Sequence, residues 1–81
     1  MESIVLKNPS VNHSYITLQP TPSVKGFWNM RITRYSHGMI AHRTTEACST
    51  IEKAQDWMEN AIQQYQAIGY VMEDKEHHAN L

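Results

Sequence analysis

Cysteine is nearly missing from this sequence. Cys48 stands alone among 81 residues, so no disulfide can close within the chain and nothing points to an oxidising compartment. Long apolar runs are missing too. The longest near the start is Ile4-Val5-Leu6, far short of a signal-peptide core or a membrane span. No membrane association is expected, and the cytoplasm is the expected location. The five histidines show none of the paired Cys/His spacings that mark structural zinc: His13, His37 and His42 fall in separate contexts, and His77-His78 are adjacent. No metal or other cofactor is expected. Repeats, low-complexity tracts and an interdomain linker are absent as well.

What remains is the composition of an ordinary globular domain, 41% hydrophobic and 19% charged. A chain this short buries roughly 60 to 65% of the surface its unfolded form exposes. That leaves little room for an enclosed active site. Small domains therefore act through their surfaces or enlarge a thin core by pairing, and a homodimer is one expectation.

The net charge of −1 hides an asymmetry. Residues 1–45 carry Lys7, Lys25, Arg31, Arg34 and Arg43 against Glu2 alone, a balance of +4. Residues 46–81 carry seven acids against Lys53 and Lys75, a balance of −5. The first part suits an anionic partner, unless the two halves simply neutralise each other within one fold.

Periodicity places the elements. Ser3 to Lys7 and Ser14 to Gln19 read as strands, separated by the turn cluster Asn8-Pro9-Ser10. Pro20 to Gly26 reads as a loop, because two prolines would interrupt a ladder. Residues 27–45 read as a hairpin about Ser36-His37-Gly38. Ser49-Thr50-Ile51-Glu52 has capping-box form with Ser49 as N-cap. A helix follows, with Ile51, Ala54, Met58, Ala61, Ile62, Tyr65 and Ile68 as its apolar stripe, Trp57 at the margin and Gly69 as the stop. Tyr70-Val71-Met72 returns as a short strand or crosses the helix end. The expected fold is α+β: an antiparallel sheet of three to four strands followed by one long amphipathic helix packed on one face, β-β-β-β-α. Residues 1–72 form the domain and 73–81 a disordered polar tail.

The hairpin register decides which side chains share a face. A three-residue loop with Gly38 left-handed pairs Tyr35 with Met39, Ile32 with His42 and Arg31 with Arg43. Trp28, Met30, Ile32 and Ile40 then face the helix. Asn29, Arg31, Thr33, Tyr35, Arg43 and Thr45 face outward, and the opposed arginines call for an anion between them. A two-residue His37-Gly38 turn would instead pair Ser36 with Met39, flip the second strand and part the arginines. The three-residue loop is the preferred reading.

In the order Tyr15-Ile16, Phe27-Trp28, Arg34-Tyr35, Gly38, Glu52-Lys53-Ala54 and Gly69-Tyr70, the chain is similar to WGR domains, which bind nucleic acid. The Trp-Gly-Arg signature itself is absent; "RYSHG" occupies its place. No family membership follows.

Two surfaces and one side chain are candidate sites. The acidic helix face around Asp56, Trp57 and Glu59 would bind a protein, the favoured partner. Alternatively Arg31, Arg34, Arg43 and Tyr35 would bind nucleic acid, with cations on phosphates and the ring on bases. Cys48, just before the helix, could be a thiolate nucleophile with His42 as base, but no oxyanion-hole motif or orienting acid accompanies it. A small buried thiol is the plainer reading. The sequence thus reads as a small non-enzymatic binding protein of the regulator or inhibitor type. By analogy alone, its size and composition suit accessory proteins of phages and mobile elements.

Overall fold

Alternation of apolar and polar side chains drives the strands up to Cys48 into an antiparallel meander, which a helix then covers on one side. The computed structural model describes residues 1–11 and 13–73. Its elements are β1 (Ile4–Lys7), β2 (Tyr15–Pro22), a 3₁₀ turn (Val24–Gly26), β3 (Trp28–Ser36), β4 (Met39–Cys48), α1 (Ile51–Ala67) and β5 (Val71–Met72). The sheet order is β4-β3-β2-β1-β5, every pairing antiparallel. The α+β architecture is as expected, and of the two readings of Tyr70-Val71-Met72 the short returning strand is the one observed, making β5 the fifth strand. Among the described residues no helix is long and apolar enough to cross a membrane.

One sheet face carries Ile4 and Leu6, Ile16 and Leu18, then Met30, with Leu6, Ile16, Leu18 and Met30 fully buried. Ala54, Met58 and Ala61 of α1 close over them, joined by Cys48 and Tyr70. Among the described residues no helix covers the opposite face, which is called the open face below.

Two expectations about strand bounds are corrected. The prolines do not end β2: Pro20 pairs with Met30 and Pro22 with Trp28. β1 stops opposite Leu18, so beyond that point β2 is an edge on its other side. A missing N–H there breaks no ladder bond. The hairpin loop is the two-residue form, not the three-residue one. Ser36 pairs with Met39, and His37 and Gly38 both have positive φ, 53° and 78°. Such a turn matches the right-handed twist of its strands.

That turn alone would have sent Arg43 toward the helix. A bulge prevents it: Tyr35 pairs with Ile40 but Arg34 with His42, leaving Ala41 as the extra residue. The bulge restores Arg43 and Thr45 to the open face and turns Cys48 into the core, where the chain must arrive to launch the helix. Arg31 now lies opposite Thr45, and Arg43 opposite Thr33. The arginines are diagonal neighbours, not a directly opposed pair. Ile40, expected under the helix, is on the open face and 54% exposed.

The helix starts one residue later than the capping box implies. Thr50 is the N-cap, and its Oγ1 accepts the Lys53 N–H at 3.1 Å. Because β4 runs to Cys48, Ser49 is used to turn the chain out of the strand. The far end is a Schellman motif about Gly69, whose φ is 106°. The Gly69 N–H donates to the Gln66 carbonyl at 3.1 Å, and the Tyr70 N–H to the Tyr65 carbonyl at 3.0 Å. This reversal drops Tyr70 into the core, edge-on to Tyr65, and its hydroxyl is hydrogen-bonded to the Ser14 hydroxyl at 3.3 Å.

The buried stripe is Ala54, Met58 and Ala61, flanked by half-buried Trp57, Ile62 and Tyr65. Trp57 thus belongs to the stripe, while Ile51 and Ile68 are exposed. Glu73, placed in the tail by sequence, adds a rung to the sheet: its N–H donates to the Val5 carbonyl at 2.9 Å. The rest of the expected tail, residues 74–81, lies outside the described residues.

Candidate functional site

The element order brings the start of the chain beside its other end. β5 pairs Leu6 with Met72 and Lys7 with Val71, and α1 crosses above them. Between the helix and this edge lies an open groove of about 740 Å³. Met1, Ile4, Met58, Ile62 and Met72 give it an apolar lining, and Glu2, Glu59 and Glu73 stand along it. Three of the chain's five methionines are thus gathered in one place. Thioether side chains are flexible and polarizable, which lets such a surface adapt to varied apolar partners. The Glu73 carboxylate lies 3.0 Å from the Lys7 ammonium, so that acid is partly neutralised. Glu2 and Glu59 are exposed.

Of the helix residues proposed for a protein partner, only Glu59 lines this groove. Asp56 is exposed on the helix, and Trp57 is packed against the core. Sequence reasoning did not bring Met1, Ile4, Met58, Ile62 and Met72 together as one groove. Their apolar character was visible, but only the β1–β5 pairing makes neighbours of them.

The open face holds most of the second candidate set. Reading across β1, β2, β3 and β4, one row is Lys7, Tyr15, Tyr35 and Ile40. The next row is Val5, Thr17, Thr33 and Arg43, and a third joins Gln19, Arg31 and Thr45. These four strands contain one acid, Glu46, and alternation puts it on the other face. The open face is therefore basic. Tyr15 and Tyr35 stack on each other, centroids 4.4 Å apart and planes 16° from parallel. Each ring thus has one face already occupied. Arg43 donates from Nε to Thr33 Oγ1 at 3.2 Å, which braces its guanidinium over the sheet. Arg34 is separated from this group: it points to the helix side, paired with Ile16 and His42.

Cys48 is buried beneath the helix start. Burial pushes its thiol above the ordinary range, the Glu46 carboxylate adds to the shift, and Lys53 opposes it. His42 lies six residues back along an extended strand, about 20 Å away, too far to act as its base. A thiol so placed stays protonated at neutral pH and reacts slowly. Iodoacetamide is expected to modify Cys48 in native protein at least about tenfold more slowly than after urea unfolding, read by intact mass. Equal rates would show that the thiol is open to solvent.

Among the described residues no three side chains of His, Cys, Asp or Glu come together as a metal site would require. No family model, curated protein or solved structure matches the chain.

Proposed function

We propose that the chain is a protein-binding domain of the cytoplasm, a regulator or inhibitor that acts by occupying its partner and not by catalysis. Its ligand is a protein segment that places apolar side chains in the groove between α1 and β1–β5, with lysine or arginine beside them. One observation carries this reading: a methionine-lined apolar groove with Glu2 and Glu59 exposed at its margin. Apolar contacts supply affinity there, and the acids select the sign of the flanking charge.

The test is an amide NMR titration with a synthetic leucine–lysine peptide and its leucine–glutamate counterpart. The lysine peptide is expected to shift Ile4, Gln55, Glu59 and Met72, and the glutamate peptide to shift none of them. Met72 is 46% exposed, so Met72→Asp leaves the core intact while placing a carboxylate in the apolar floor. It is expected to weaken binding by at least about tenfold, and Glu59→Lys by roughly three- to fivefold. Equal binding of both peptides, or shifts confined to residues 29–45, would refute the proposal.

A second reading rests on the open face. Arg31, Arg43 and the tyrosine stack form a basic surface suited to a nucleic-acid backbone, while Lys7 at its margin is already paired with Glu73. A single-stranded oligonucleotide in the same titration separates the two. Shifts at Arg31, Tyr35 and Arg43 that fade with salt, and vanish in Arg31→Ala/Arg43→Ala, would favour this surface. No shift at low salt would eliminate it.

A further inference from the structure

We propose that β4 is a dimerisation edge, and that two copies of the chain join antiparallel through it with Thr44 on the two-fold axis. The resulting sheet has ten strands, with both helices on one face.

The two edges of the sheet are unequal. β5 is two residues long, a length that gives an incoming strand almost nothing to pair with. β4 is ten residues long and, among the described residues, pairs only with β3, and every residue from Met39 to Ala47 is exposed. A strand so placed presents a row of backbone donors and acceptors to any matching strand. β4 contains no proline. Its single bulge lies near one end, at Ala41, and leaves residues 42–48 regular. The helix also leaves this strip bare: His42, Thr44 and Glu46 point to the helix side yet are exposed.

Symmetry and charge then select the register. A two-fold axis normal to the sheet keeps each side chain on its own face, so the axis must pass through a residue. With the axis at Arg43, that arginine would face its own copy. With the axis at Thr45, Arg43 faces Ala47 and His42 faces Cys48, leaving Glu46 opposite Thr44. With the axis at Thr44, His42 of each copy faces Glu46 of the other, and Arg43 faces Thr45. An imidazole N–H donates to a carboxylate whether or not the ring is charged, and this arrangement makes two such pairs. One chain thus carries both halves of a self-complementary edge. Assembly stops at two, because the opposite edge is the two-residue β5.

Sedimentation of the full chain over a dilution series is the first test. A concentration-dependent dimer is expected, and a monomer at every concentration would overturn the proposal. Charge reversal tests the register. Glu46→Lys is expected to raise the dimer dissociation constant roughly tenfold or more, because it sets lysine against His42 twice. His42→Glu in the same chain is expected to restore it. Both positions are exposed, so neither change threatens the fold. Cross-linking tests it independently. In a Cys48→Ser background, Thr44→Cys is expected to form an intermolecular disulfide readily, since residues on the axis have Cα atoms about 5 Å apart. Ala47→Cys is expected not to, its two copies lying about 20 Å apart along the strands. A dimer indifferent to Glu46→Lys, or one cross-linked through Ala47 and not Thr44, would overturn the proposed register.

Discussion

Leu18→Ala is expected to cost roughly 3 kcal/mol of folding stability, while Ile40→Ala costs under about 0.5 kcal/mol. Leu18 is fully buried, paired with Ile4 on one side and Ile32 on the other, so its truncation opens a cavity that the sheet cannot close. A domain of this size has a total stability of roughly 4 to 12 kcal/mol. The loss is therefore a large fraction of the whole, and the melting temperature is expected to fall by roughly 15 °C. Ile40 is the same kind of residue by composition, yet it stands on the open face beyond the bulge at Ala41. Urea unfolding monitored by circular dichroism checks both, with an unchanged denaturant slope showing that the transition stays two-state. If Ile40→Ala proved as costly as Leu18→Ala, Ile40 would belong beneath the helix, as the three-residue hairpin loop requires. The comparison thus tests a register through stability.

Local chemistry made the elements legible, and long-range geometry withheld the rest. Strand alternation, a hydroxyl-rich helix start and the glycine at position 69 each act within a few residues, so their consequences can be read from the sequence. The hairpin could not be resolved that way. His37-Gly38 is compatible with either loop, and the deciding constraint lies eleven residues beyond His37, where Cys48 has to point inward for the helix to dock. The bulge at Ala41 is how β4 meets that constraint, and alanine carries no signal of its own for it. Pro20 and Pro22 were misleading for a related reason. A proline excludes a ladder only where a partner strand needs the N–H, and the early end of β1 removed that partner. The groove was the least legible feature. Met1, Ile4, Met58 and Met72 are scattered over the chain, and only the return of β5 beside β1 assembles them. The basic face was partly visible, because Arg31, Tyr35 and Arg43 fall on one side in both the expected register and the observed one. Arg34 carries the same charge but points to the helix side.

Thr17→Val is expected to stabilise the fold by about 1 kcal/mol, raising the melting temperature by roughly 4 to 8 °C. Thr17 and Thr33 face each other across β2 and β3 on the open face, and they differ in how their hydroxyls are satisfied. Thr33 is fully buried and its Oγ1 accepts the Arg43 Nε–H at 3.2 Å. The Thr17 Oγ1 is equally inaccessible to solvent and has no hydrogen-bond partner among the described residues. A buried hydroxyl without a partner has lost its hydration and gained nothing in return. Valine keeps the shape and the β-branch that a strand favours while removing that cost. At Thr33 the sign reverses. Thr33→Val deprives Arg43 of its acceptor and is expected to cost about 1 kcal/mol, with the guanidinium released toward solvent. Thermal unfolding of the two single variants decides the matter. Destabilisation by Thr17→Val would mean that its hydroxyl holds a hydrogen bond, in which case the open face is organised around Thr17 as well as Thr33. The variants also separate structure from recognition. Thr17→Val leaves Arg31, Arg43 and both tyrosines where they are, so it should not change oligonucleotide affinity. Thr33→Val unbraces Arg43, so it should weaken that affinity only if this face binds phosphate.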